Sequence, residues 1–238
     1  HDELLQTIYG VSPYKIEVIH HGVPVKLVPT RQSLKKQFGY EDKQLISTFG
    51  LLSPGKGIEY AIEAISKIST VNNNILYLIL GRTHPDQKNE FYREKLEALV
   101  IKYHIEKNVK FINKYLTKNE IIQYLQMSDI YMTPYLSKDQ AVSGTLAYAV
   151  GYGRAIISTP YLYAKEMLSE ERGLLAEFKN SDSLFKCLKY ILQNPEQKIR
   201  MEKNTIKLGK TMYWNIVAKH YTDVFLKAIM LHQEIGVV

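Results

Sequence analysis

The residues best suited to chemistry lie in the segment TPYLSKDQAVSGTLAYAVGYGRAIISTPY, residues 133–161. Here Ser143, Gly144 and Thr145 stand where a polar loop should become a helix. Hydroxyl groups, free backbone N–H groups and the positive end of a helix dipole together attract an anion such as phosphate. The same three residues are also good helix caps, so a purely structural role stays equally open.

A second candidate is the loop GLLSPGKG, residues 50–57, which joins an apolar run to a helical stretch. Its glycines let the backbone come close to a ligand, and Lys56 adds a positive charge. The loop is not a Walker motif, because the required spacing and the Ser or Thr after the lysine are missing. The pattern favours either a phosphate site or an ordinary tight turn.

Two further loops follow apolar runs. Residues 81–85 carry Arg82, Thr83 and His84, and residues 112–116 carry Tyr115. Either loop could contact a ligand, but a lone histidine is more often a surface residue, and the second loop could be a simple connection.

Short apolar runs alternate with stretches of helical period, which predicts an α/β fold. We expect a Rossmann-like parallel sheet flanked by helices, with a helical C-terminal tail. The runs are rich in β-branched and aromatic residues and lack polar alternation, as strands buried on both faces should. The predicted strands are residues 16–19, 45–50, 75–80, 109–112, 130–133 and 155–158.

Helix signals occupy the intervals and the C-terminal part of the chain. Thr117 and Glu120 form a capping box that should open one helix. From residue 182 the sequence turns helical, with breaks at residues 194–195 and 209–213. The last predicted helix, residues 214–231, carries an apolar stripe that must pack on something. The stripe consists of Ile216, Val217, Tyr221, Val224, Phe225 and Ile229.

Composition narrows the function classes. The 238 residues carry a formal charge of +7, which favours an anionic ligand, a nucleic acid or an acidic membrane surface, unless it reflects a lysine-rich surface. With Cys187 alone, no internal disulfide is available. The sequence has no membrane-span run and none of the CxxC, HExxH or DxD metal motifs. We expect a cytoplasmic protein without a metal, working either in solution or at the inner face of a membrane.

In this order the loops resemble the C-terminal domain of retaining glycosyltransferases of the GT-B architecture, the group 1, family 4-like enzymes. The landmarks are VIHHGVP, FGLLSPGKGIEYAIEAI, YLILG, VKFINKYLTKNEIIQYL, SDIYMTPY and AYAVGYGRAIIST, and they cover nearly the whole chain. The resemblance implies metal-independent transfer of a sugar from a UDP, GDP or ADP donor, with no further cofactor. It also implies an acceptor such as a glycan.

The resemblance assigns roles to particular residues. Lys56 would bind the donor diphosphate, and Gln140 would orient the donor sugar. Both are the expected catalytic residues. Donor-binding roles fall on Gly50, Ser53, Gly57, Gly81, Arg82, Thr83, Tyr115, Leu116, Ser143, Gly144, Thr145 and Tyr148.

The sequence departs from the family pattern at three of its positions. Gln140 and Tyr148 replace two glutamates, and Leu51 replaces an arginine. A non-catalytic nucleotide-sugar-binding protein therefore stays open as the alternative function. Related GT-B epimerases are a further possibility, but their usual acid and base residues are not recognisable in this sequence. Nucleic-acid binding rests on charge alone.

The resemblance also divides the chain. Residues 1–24 would be the end of a missing N-terminal, acceptor-binding domain and the interdomain connection. Residues 25–212 would form the nucleotide-sugar-binding domain, and residues 213–238 would be a helix that crosses toward the missing domain. We expect this chain alone to bind the donor and to transfer little.

Overall fold

A computed structural model describes residues 2–83 and 90–235 of the chain. In these residues six strands form one sheet, and every pair of neighbours in it is parallel. The strands are β1 (Gln44–Phe49), β2 (Ile75–Leu80), β3 (Val109–Ile112), β4 (Ile130–Thr133), β5 (Ala155–Ser158) and β6 (Leu174–Leu175).

The helices cover both faces of the sheet and form the C-terminal part of the chain. They are α1 (Asp2–Thr7), α2 (Arg31–Gln37), α3 (Ile58–Ser69), α4 (Phe91–Lys102), α5 (Lys118–Met127), α6 (Gly144–Gly151), α7 (Leu162–Met167), α8 (Ser181–Gln193), α9 (Pro195–Thr211) and α10 (Trp214–Ile235). The predicted capping box opens α5, where Thr117 and Glu120 bond to each other's backbone N–H groups. Asn194 separates α8 from α9, as predicted.

Two apolar cores, one on each face, hold the sheet between the helices. Alternate residues of β2 point to opposite faces, so Leu78 lies in one core and Tyr77 in the other. One core includes side chains of α2, α5, α6 and α7, and the other includes side chains of α3, α4, α8 and α9. Burial on both faces explains why the strand sequences lack polar alternation.

The order of the strands places the loops. The sheet runs β3-β2-β1-β4-β5-β6, so the chain reverses its direction of travel between β1 and β4. In open parallel sheets, ligands bind beyond the carboxyl ends of the strands at such a reversal. The loops after β1 and β4 contain or lead into residues 50–57 and 143–145, the two segments that the sequence favours most as anion sites.

Two structural predictions need correction, and one strand was not predicted. Residues 16–19 form no strand, because no neighbouring strand pairs with them and Val18 is 52% exposed. The short strand β6 escaped prediction because only Leu174 and Leu175 pair with β5. Helix α9 continues to Thr211, so the predicted break at residues 209–213 narrows to Met212 and Tyr213.

None of the described helices is long and apolar enough to cross a membrane. The predicted apolar stripe on α10 is real but mostly uncovered. Val217 is buried, whereas Tyr221, Phe225 and Ile229 are exposed.

Cys187 lies on α8, where burial raises the pKa of its thiol to about 11, so it is a poor nucleophile at neutral pH.

Candidate functional site

The N-terminus of α6 lies at the reversal point of the sheet and forms the centre of the candidate site. Ser143 is the N-cap residue, and its side-chain oxygen accepts a hydrogen bond from the backbone N–H of Leu146 at 3.2 Å. The Thr145 hydroxyl lies 3.1 Å from that of Ser143 and 2.9 Å from that of Tyr135. These contacts hold the first turn of α6 in place.

Lys56 approaches this helix end from the loop after β1. Its Nζ atom lies 3.9 Å from the centroid of the Tyr135 ring, which is within the range of a cation–π contact. A side chain on Gly50 would begin 3.8 Å from Thr145 Cγ2 and 3.9 Å from Lys56 Nζ. Lys56, Gly50 and Thr145 therefore border one small space.

The ammonium group of Lys56 makes no salt bridge with any residue that the structure describes. Burial lowers the pKa of Lys56 below its ordinary value, since the charged form loses its water. The Tyr135 ring offsets part of that cost. A partly dehydrated cation without a carboxylate partner beside a helix N-terminus is well suited to bind an anion.

Two glycines are required here by close packing. A Cβ atom on Gly57 would lie 2.1 Å from the carbonyl oxygen of Pro134, so the start of α3 can approach the end of β4 only without a side chain. A Cβ atom on Gly81 would lie 2.0 Å from the carbonyl oxygen of Gly50. Gly57 and Gly81, which the sequence predicts to bind the donor, allow strand ends to approach each other because they have no side chain. This close approach positions the loops around Lys56.

A narrow cavity of about 110 Å³ opens beside Gly50 at the ends of β1, β2 and β3. Leu116 is buried in its wall, and Tyr115 is 74% exposed at its edge. Lys114 is paired with Glu120 at the same edge. The lining residues are Phe49, Gly50, Leu51, Leu80, Gly81, Arg82, Lys114, Tyr115, Leu116 and Ile121. The predicted residues Gly50, Gly81, Arg82, Tyr115 and Leu116 therefore meet in one place.

Comparison with known proteins assigns the chain to a family. The sequence profile of the glycosyl transferases group 1 family matches residues 30–208. The chain belongs to this family. The match includes both the Lys56 loop and the N-terminus of α6.

Relatives and solved structures agree with this assignment. The chain is 22% identical to the D-inositol 3-phosphate glycosyltransferase of Corynebacterium glutamicum, over 93% of this chain and 54% of that protein. The C-terminal domain of the Francisella tularensis group 1 protein LpcC superposes with a TM-score of 0.68 at 21% identity, covering 79% of this chain and 93% of that chain. Anabaena HepE in complex with UDP gives 0.80 at 16% identity, covering 92% and 59%.

These comparisons show the fold and the extent of the match. The sheet and its helices correspond to one half of a GT-B glycosyltransferase, as the sequence predicts. The chain spans about half the length of the curated relatives that it matches. At such low identity the structures establish the fold, and the roles of individual residues must come from the geometry of this chain.

Not every predicted residue of this group 1 domain faces the space beside Lys56. The Thr83 hydroxyl donates to Glu90 at 2.8 Å, and Ser53 begins the short turn Pro54–Lys56 without a side-chain capping bond. His84 lies outside the described residues. The amide nitrogen of Gln140 donates to the carbonyl of Val142 at 3.1 Å, so half of this side chain is engaged locally.

Tyr148 lies half-buried on α6, where its ring meets that of His21 edge-on with 6.4 Å between the centroids. The loss of water around it raises the pKa of its phenol. Its contact with His21 could not be foreseen, because 127 positions separate the two residues in the chain. Tyr135 also escaped the sequence-based selection, although it directly follows β4 and Pro134, a position that could have marked it.

Larger cavities lie elsewhere in the described part of the chain, and two of them border α9. One, of about 460 Å³, is lined by Arg154 and by residues of α9, at the end of the sheet where β5 begins. Arg154 donates hydrogen bonds to the carbonyl oxygens of Tyr152, Gln126 and Ser128, which is a structural use of its charge. The other, of about 520 Å³, lies between α7 and α9. Size alone does not mark the site, because neither cavity adjoins the strand ends around Lys56.

We expect the Tyr135 ring to support anion binding through Lys56. Tyr135→Phe keeps the ring and loses only the hydroxyl contact with Thr145, whose hydroxyl still contacts that of Ser143, so the dissociation constant of UDP should change little. Tyr135→Leu removes the cation–π contact and should weaken UDP binding by about 0.5–2 kcal/mol in isothermal titration.

The matched control is Tyr161→Leu, because the Tyr161 ring stacks on Tyr135 with 5.6 Å between centroids and is equally buried, but forms no cation–π pair with Lys56 in the part of the chain that the structure describes. Both Leu variants should lower the thermal midpoint. Equal weakening of UDP binding by the two variants would mean that general loosening of the core, not the ring under Lys56, is responsible.

Proposed function

We propose that this domain binds a nucleotide-diphosphate sugar at the carboxyl ends of β1 and β4 and supports transfer of the sugar to a glycan or similar acceptor. In this proposal the transfer retains the anomeric configuration and requires no metal. The acceptor site lies in an N-terminal domain of the full protein, which works in the cytoplasm, either free or at the inner membrane face.

One observation carries the proposal. Lys56 holds a partly dehydrated ammonium group beside the N-terminus of α6, with no carboxylate partner among the described residues. A diphosphate would supply the missing negative charge. The free N–H groups of the first α6 turn would bind its other oxygen atoms.

The same arrangement suits the chemical step. When the bond between the anomeric carbon and the phosphate oxygen breaks, its electron pair stays on the leaving diphosphate. Lys56 and the first turn of α6 would stabilise that growing charge, and both are in place before the reaction starts. We assign no general base to this half of the protein.

The nucleoside would occupy the narrow cavity that begins beside Gly50. The apolar wall, including Leu116, would contact the base, and the backbone of residues 113–116 would offer polar groups to its edge. The cavity and the Lys56 site share Gly50, so one ligand could occupy both. HepE, which shares this fold, has been solved with UDP and with UDP-glucose.

A binding screen tests the proposal most directly. UDP, GDP and ADP, and the glucose conjugate of each, would be titrated against this chain and monitored by isothermal calorimetry. Binding of at least one diphosphate, competed by its sugar conjugate, is expected. If none binds in the millimolar range, the proposed function is wrong.

Leu51 offers a separate prediction, because it lines the nucleoside cavity next to Gly50 where the family pattern has an arginine. Leu51→Arg should tighten diphosphate binding and increase its sensitivity to salt, since it adds a cation near the ligand. Titrations at low and high ionic strength measure the effect. An affinity that is unchanged at both would show that position 51 does not face the phosphates.

A non-catalytic donor-binding protein is the second candidate, because Gln140 and Tyr148 replace two family glutamates. Turnover by the full-length protein separates the two functions. A catalyst releases nucleotide diphosphate from its sugar conjugate when acceptor is present, whereas a binding protein leaves the conjugate intact.

A further inference from the structure

The segment that leads into the sheet domain carries a histidine to the candidate site. His21 is exposed, and its Nε2 atom lies 3.5 Å from the point where a side chain on Gly144 would begin. The Tyr148 ring contacts it edge-on from the next turn of α6. His21 thus flanks the N-terminus of α6 on the side of Gly144, and Lys56 flanks it on the side of Thr145.

The hydrogen bonding of His21 determines what its free nitrogen can do. Nδ1 lies 2.9 Å from the carbonyl oxygen of Gly22. A carbonyl oxygen only accepts, so Nδ1 must carry the proton in this contact. In the neutral ring Nε2 then has a lone pair, and it has no hydrogen-bond partner among the described residues.

The backbone that carries His21 is firmly held at the junction of α9 and α10. The Trp214 ring covers Gly22 so closely that a Cβ atom there would lie 2.4 Å from it. The N–H of Val23 donates to the Met212 carbonyl at 2.8 Å, and the N–H of Trp214 donates to the Val23 carbonyl at 3.0 Å. This anchoring limits the positions that the imidazole can reach.

We propose that His21 is a donor-binding residue that accepts, at Nε2, a hydrogen bond from a hydroxyl group of the donor's sugar. The inference rests on the proposed function, because it requires a nucleotide sugar at the N-terminus of α6. It adds a residue for recognition of the sugar, supplied by the connecting segment rather than by the loops of the sheet.

A sugar hydroxyl fits Nε2 better than a phosphate oxygen does. Phosphate oxygens accept hydrogen bonds, and a lone pair at Nε2 would repel them. Lys56 and the N–H groups of α6 already provide donors for phosphate. Gln140 offers one acceptor for a hydroxyl group, its amide oxygen, since its amide nitrogen donates to the carbonyl of Val142. His21 provides another.

The test compares UDP with UDP-glucose in wild-type protein and in two single variants of neighbouring histidines. His21→Ala should weaken UDP-glucose binding about 2- to 10-fold, the usual effect of one lost hydrogen bond, and leave UDP binding unchanged. His20→Ala is the matched control, because His20 lines the cavity between α7 and α9 and should change neither affinity. Thermal unfolding checks that both variants fold.

Deoxy analogues of UDP-glucose then identify the hydroxyl. The analogue that lacks it should bind wild type more weakly and be insensitive to His21→Ala. Nitrogen chemical shifts of the His21 ring provide a measurement that needs no ligand, and they should show that the neutral ring carries its proton on Nδ1 and not on Nε2.

Three results would overturn the inference. A proton on Nε2 rather than Nδ1 would remove the acceptor. Equal weakening of UDP and UDP-glucose would place His21 at the phosphates, and unchanged UDP-glucose affinity in His21→Ala would remove it from the site. In all three cases normal UDP binding by wild type would leave the proposed function standing. Wild type that binds none of the UDP, GDP and ADP ligands of the binding screen would refute both.

Discussion

We expect Lys56→Ala to weaken UDP binding by about 1.5–3 kcal/mol, or about 10- to 150-fold, and to leave uridine binding unchanged. The reason is that the Lys56 ammonium group has lost part of its water and has no carboxylate partner among the described residues, so the diphosphate is the group that it can neutralise. The lost binding energy is that of the charge-assisted contact with the diphosphate, so uridine, which has no phosphate, should bind as before.

Isothermal titration of UDP and uridine measures the two affinities. Lys114→Ala is the matched control, because this lysine lines the nucleoside cavity but is already paired with Glu120. It should change UDP affinity much less than Lys56→Ala. Equal losses for UDP and uridine in the Lys56 variant would sink the phosphate assignment.

Lys56 should favour ligand binding but lower the stability of the free protein. Burial lowers the pKa of Lys56 in the folded state, so the charged ammonium group costs the native protein stability at neutral pH. That cost disappears as the pH rises from the lowered pKa toward the value of the unfolded chain. Lys56→Met should therefore raise the thermal midpoint at neutral pH, and the difference from wild type should shrink in alkaline buffer.

The second large effect is expected for Gly144→Val, which should abolish measurable UDP-glucose binding while the domain stays folded. A Cβ atom at this position meets His21 Nε2 at 3.5 Å, an ordinary contact, so the first carbon of a side chain fits. The additional methyl groups of valine would extend into the space between His21 and the first turn of α6. No buried core residue is removed, so no cavity forms.

Gly144→Ala is the control, because it adds the tolerated carbon alone. Its thermal midpoint should equal or exceed that of wild type, since alanine favours helix more than glycine does. The double variant Gly144→Val with His21→Ala distinguishes a direct block from displacement of the histidine. It should still fail to bind UDP-glucose. Normal affinity in Gly144→Val with an intact thermal transition would show that the ligand binds elsewhere.

Much of this fold follows from local sequence. Five of the six strands coincide with the predicted runs to within one residue, because strands covered on both faces are rich in apolar residues and lack a regular polar alternation. The box of Thr117 and Glu120 predicts the start of α5, since both partners lie within one turn. The failed strand at residues 16–19 shows the limit of such patterns. Its apolar residues have no neighbouring strand to pair with.

Local sequence predicts the candidate site only in part. Loop composition alone points to Lys56 and to residues 143–145, because glycines, a cation and a helix start are local features that suit phosphate. The chain order of the loops then supports a glycosyltransferase domain. Neither observation shows that the two loops meet.

Only the tertiary structure decided which residues share the site. Parallel pairing of β1 with β4 brings Lys56 over Tyr135, although 79 positions separate them in the chain. The junction of α9 and α10 holds Gly22 and Val23 in place, so that His21 reaches Gly144. Short-range propensity carries no information about either contact, because both depend on the strand order and on helices packed from distant parts of the chain.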